Sequence, residues 1–165
     1  MSTENKTKDE MTPLFLELGK ALFICQSLEE SLHVFNAQLS HDETDGEEGL
    51  FGVSLDLYSN ETMGQLINKL RKRIDIPTDL SDYLESGLWI RNEIVHGYMT
   101  KNFSRLAHPQ GRLEVQSELA AMKFEVKKRS ILVNKLLDAL FAKDGFASAE
   151  LKRNIDELRA FINEA

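Results

Sequence analysis

"LWIRNEIVHGYMT", residues 88–100, sets Arg91, Asn92 and His96 among residues apolar enough to be core. A helix turns roughly 100° per residue, so Asn92 and His96 fall about 40° apart on one face. Arg91 and His96 are separated by roughly 140°. A straight helix does not stack these two. Either the long arginine curls round the helix edge, or a second chain completes the site. Asn92 is the natural partner to orient the imidazole. Gly97 is placed to end the helix as a left-handed cap, which puts His96 at a C-terminus whose carbonyls favour the protonated ring. Histidine titrates near neutral pH. A proton carrier beside a fixed cation suits cleavage of a phosphodiester by RNA's own 2′-hydroxyl. The histidine takes or returns the proton and the arginine stabilises the extra charge on phosphorus. That chemistry requires no metal and implies no cofactor.

Upstream, Leu14, Leu18, Ala21, Cys25, Leu28, Leu32, Phe35 and Leu39 repeat with 4-3-4-3 spacing. This predicts a long helix, capped by Thr12 with Pro13 in its first turn, running to about Leu39. Residues 1–11 read as a disordered polar tail and 12–165 as one domain. In the acidic stretch that follows, "VSLDLY" (53–58) alternates like a strand but has no partner, so it reads as an extended loop or a poorly formed helix. Thr62 and Gln65 have capping-box spacing at the start of a short second helix. A third helix starts near Thr78, beyond Pro77, and carries Leu80, Tyr83, Leu84, Leu88, Ile90 and Ile94. After a polar loop, a fourth runs from about Leu113 to Lys143, its apolar stripe interrupted at Arg129. Leu151, Ile155, Leu158 and Ile162, behind Ser148, give a short fifth. The expected fold is all-α, an up-and-down four-helix bundle with one additional short C-terminal helix.

The chain has 165 residues and a formal net charge of −7. That balance argues against a protein that coats nucleic acid by charge alone. Two basic runs, "KLRKR" (69–73) and "KFEVKKR" (123–129), read as solvated helix faces. The one cysteine, Cys25, sits in an apolar run and reads as a small core residue. Neither a secretory signal nor a membrane-spanning run is visible, so the expected location is cytoplasmic, with no membrane partner.

Arg91-Asn92-x-x-x-His96 on the third of four helices resembles the motif of the HEPN superfamily (higher eukaryotes and prokaryotes nucleotide-binding). That motif is an arginine, four to six residues, then histidine, often with a polar residue after the arginine. The long first helix with Glu29 and Glu30, the "TMGQLINKL" segment and the long fourth helix agree with it over about residues 12–143. The resemblance implies a metal-independent endoribonuclease of the toxin or phage-defence type. It implies a homodimer with both motifs facing one cleft, RNA as substrate, and an antitoxin or other protein as partner. Arg91 and His96 would be catalytic, with Asn92 orienting the histidine. The alternative is a non-catalytic HEPN-like module that binds a protein or nucleotide.

Two further residues are candidates for a supporting role. Glu29 turns towards the interior and can pair with Arg91. Tyr98 can stack on a base or pack against the helices. His33, His41 and His108 have no ligand spacing, and no metal site is expected.

Overall fold

The computed structural model describes residues 3–43, 61–73 and 77–141, with side chains over 11–37, 61–72 and 77–138. The "VSLDLY" segment and the fifth helix expected beyond Ser148 lie outside the described residues. Within them the chain is helical apart from short turns and helix ends, with no strand. Six helices follow in order: α1 (Thr3–Glu43), α2 (Met63–Arg73), α3 (Thr78–His96), α4 (Tyr98–Lys101), α5 (Phe103–Leu106) and α6 (Pro109–Phe141). Among the described residues no helix is long and apolar enough to cross a membrane.

The stripe on α1 is the core stripe. Leu14, Ala21, Cys25, Leu28, Leu32 and Phe35 are all buried, with Leu18 partly so. The helix begins earlier than its sequence signals suggest. Thr12 is not its cap, and Pro13 lies inside it. A proline there removes one helical N–H donor, a loss the rest of a 41-residue helix absorbs. Met63, Leu66, Ile67 and Leu70 of α2, Leu80, Leu84 and Ile94 of α3, and a stripe of α6 that includes Val115, Leu119, Val126, Val133 and Leu136 pack against the α1 stripe in the same core.

Specific bonds set how the helices meet. The buried Asn36 amide donates to the Leu32 carbonyl within α1 and to the Leu66 carbonyl of α2, at 2.9 and 3.1 Å. Gly64 of α2 lies against Leu88 of α3, and Arg71 reaches Ser81 and Glu85, so α2 and α3 are antiparallel. Arg129 of α6 meets Tyr83 and Ser86 in the first half of α3, while Tyr98, two residues beyond the end of α3, meets Val115 and Glu118 early in α6, so α3 and α6 run antiparallel.

Arg129, expected to interrupt the stripe, is 4% exposed. It is a polar core residue. Its guanidinium donates to the Tyr83 carbonyl, the Ser86 hydroxyl, and the Glu125 carbonyl and carboxylate, all at 2.6–3.0 Å. It also stacks on the Tyr83 ring, 4.0 Å from the centroid. The gap in the apolar spacing is therefore where α3 is bolted to α6.

The expected polar loop after α3 is also corrected. It folds into α4 and α5, and α6 starts at Pro109 rather than near Leu113. Arg105 clamps Glu114 and Glu118 from this turn, and Arg112 donates to the Leu106 carbonyl at 3.0 Å. Gly111 lets α6 pass close to the turn, since a Cβ there would strike the Arg105 carbonyl. Gly111→Ala should therefore lose about 2 kcal/mol in urea unfolding despite the better helix former. Gly19→Ala in α1, where nothing opposes a Cβ, should gain up to about 1 kcal/mol.

Candidate functional site

α3 carries Arg91, Asn92 and His96 into a cleft of about 620 Å³. Glu29 and His33 of α1, Leu88 of α3, and residues Glu61–Gly64 at the start of α2 complete its walls. Arg91 does curl round the helix edge. Its Nη1 lies 3.1 Å from His96 Nε2 and 3.1 Å from Asn92 Oδ1. One chain thus brings the pair together without help from a second.

A guanidinium can only donate, so this contact is a hydrogen bond for the His96 tautomer that carries its hydrogen on Nδ1 and accepts at Nε2. The lone pair a general base would use faces the arginine. Asn92 Oδ1 accepts from Arg91, so it helps hold the guanidinium in place. The second Arg91 amino group is bound by Glu29 Oε1 at 2.8 Å, as the sequence suggested. Arg91 Nε is buried with no hydrogen-bond partner. An unsatisfied buried donor is uncommon in a purely structural arginine and marks this side chain for attention.

Gly97 does not take the left-handed cap conformation. Its φ is −144°, and its N–H bonds the Glu93 carbonyl as the chain turns into α4. His96 is still the last residue of α3 and is exposed.

The capping box at α2 forms as expected. The Thr62 N–H donates to Gln65 Oε1 at 2.7 Å, and the Gln65 N–H to the Thr62 hydroxyl at 3.4 Å. This cap points the positive end of α2 into the cleft, a favourable place for an anion.

His33 lines the cleft, although its sequence context gave no reason to select it. The signal that finds it is its spacing from Glu29: four residues, hence one face of α1. Cys25 lies below the cleft in the core. Burial pushes its thiol up to about 11, with Arg91 pulling in the other direction. It is an inert packing residue rather than a nucleophile.

Tyr98 does not line the cleft. It is 5% exposed, and its single hydroxyl proton lies between the Val115 carbonyl and Glu118 Oε2, at 3.1 and 2.9 Å from its oxygen. Burial, followed by the Glu118 bond, raises its phenol far above the ordinary range. A phenol raised on folding contributes stability that is intact below its unfolded pKa of about 10 and is lost as pH climbs above it. Urea midpoints should therefore drop as pH rises past about 10. Tyr98→Phe should show a shallower drop, and Tyr83, also raised by burial, should supply the residual slope.

Fold and site together define an all-helical protein with a polar cleft that holds an arginine against an imidazole. The chain matches no protein-family model, no curated protein and no solved structure.

Proposed function

We propose that this chain is a metal-independent endoribonuclease, with a HEPN-like four-helix bundle and a homodimeric assembly, of the toxin or phage-defence type. The observation that carries the reading is the 3.1 Å approach of the Arg91 guanidinium to His96 Nε2 in an open cleft. In this reading an RNA phosphate enters beside the start of α2 and draws Arg91 away from His96. The freed Nε2 removes the 2′-hydroxyl proton, and the 2′-oxygen attacks phosphorus. Arg91 stabilises the pentacovalent phosphorane. The bond from phosphorus to the 5′-oxygen breaks, and the 5′-oxygen takes up a proton. In-line displacement puts nucleophile and leaving group on opposite sides of phosphorus. His33, on the α1 wall, is suited to the second transfer while His96 on α3 performs the first.

One observation favours the alternative of a non-catalytic, HEPN-like binding module for protein or nucleotide. Glu29 already neutralises Arg91 at 2.8 Å, and a phosphate must compete with it. The two readings separate on paired RNA and DNA oligonucleotides of one sequence, incubated with purified protein in EDTA. The nuclease cuts the RNA and leaves the DNA, which lacks the nucleophile. Intact RNA at all protein concentrations supports the binding module.

A further inference from the structure

A second concavity of about 540 Å³ lies between α1 and α6, lined by Phe15, Leu16, Gly19, Phe23 and Ile24 and edged by lysines. Phe15 and Phe23 are 56% and 68% exposed, far more than core phenylalanines. They are four residues either side of Gly19, so all three lie on adjacent turns of α1. The arrangement is two aromatic knobs flanking a hole.

Among the described residues, nothing lies within 4 Å of where a Gly19 Cβ would be. Glycine in a helix interior is unfavourable, and no contact among the described residues compensates for it. Close approach by another backbone would.

The rim carries Lys20, Lys123 and Lys127; Lys20 and Lys123 share the buried carboxylate of Glu17, and the three lysines leave the rim net positive among the described residues. This is a cationic edge on a chain of net charge −7. A second copy docked through the same face would set lysines against lysines. An apolar floor of Leu16 and Ile24 beside the phenylalanines accepts aliphatic side chains, and the rim selects negative charge around them.

We propose that the α1–α6 groove docks an acidic amphipathic helix of a partner protein, whose apolar ridge crosses α1 over Gly19 between Phe15 and Phe23. The helix presents apolar residues at i, i+3 or i+4, and i+7, flanked by Glu or Asp that meet the lysine rim. This surface is separate from the Arg91–His96 cleft and does not depend on nuclease activity.

The test uses a displayed library of short helices with randomised faces, selected on the full chain and counter-selected on Gly19→Leu. Leucine fills the hole while improving helix propensity, so this variant should melt higher than wild type and yet lose binding. The expected result is enrichment of acidic amphipathic sequences. A selected peptide should weaken by at least about tenfold on Gly19→Leu and on Phe23→Asp, and weaken as salt rises. The proposal is overturned by no enrichment above the counter-selection, by enrichment of basic or uncharged helices, or by equal affinity for the variants. It is also overturned if sedimentation shows a wild-type dimer that Phe23→Asp dissociates, or if single-stranded RNA displaces the peptide from the groove.

Discussion

On the proposed ribonuclease reading, His96→Ala should lower kcat for RNA cleavage by about a thousandfold, the usual yield of a positioned acid–base group. Arg91→Ala should lower it by about a hundredfold or more, the usual loss when a donor to a developing anion is removed. Both variants should remain folded. His96 is exposed, and Arg91 bonds Glu29 at a site where both side chains keep about a fifth of their surface, 20% and 23%. An ion pair that wet contributes about 1 kcal/mol at most. Arg91→Lys should not restore activity. An ammonium cannot hold Glu29, Asn92 and His96 at once as the planar fork does. Steady-state kinetics on one fluorogenic RNA, with circular dichroism melts for each variant, check all three. A kcat for His96→Ala within a few fold of wild type would remove the imidazole from the chemistry.

The largest effect on stability is expected at Arg129. Arg129→Ala should cost about 3 kcal/mol in urea unfolding, with the transition remaining cooperative. The substitution strips hydrogen bonds from the Tyr83 carbonyl and the Ser86 hydroxyl of α3 and from Glu125 of α6. It also empties the space against Gly87, where the arginine stem packs so closely that a Cβ would collide with it. Glu125, held below its usual range by Lys128 and Arg129 against the opposing effect of burial, loses one of its two cations. A cost under about 1 kcal/mol would mean that the α3–α6 contact rests on its apolar side chains alone.

Local patterns were legible from the residues. The heptad-like spacing of Leu14 to Phe35 named buried positions of α1, and Thr62 with Gln65 named the start of α2. Arg91, Asn92 and His96 were legible as a polar group, and Glu29 as the arginine's partner. What did not read through depends on residues distant in the chain. Arg129 broke an apolar stripe because its partners, at 83 and 86, lie on another helix. The segment after Gly97 looked like a loop because the braces that fold it, from Arg105 to Glu118 and from Tyr98 to Val115, span 13 and 17 residues. The curl of Arg91 to His96 is a side-chain reach that helical angles alone do not decide. Pro13 and Thr12 misplaced the start of α1 because capping signals describe a helix end only when the chain stops there.

On the proposed reading, His96 takes the 2′-hydroxyl proton and Arg91 stabilises the charge on phosphorus while the RNA attacks itself. The most direct measurement is the chemical identity of the product ends formed in EDTA. The account predicts a 2′,3′-cyclic phosphate on one fragment and a 5′-hydroxyl on the other, with neither formed by His96→Ala. Ends bearing a 3′-hydroxyl and a 5′-phosphate, or cleavage that appears only when a divalent metal is restored, would contradict it.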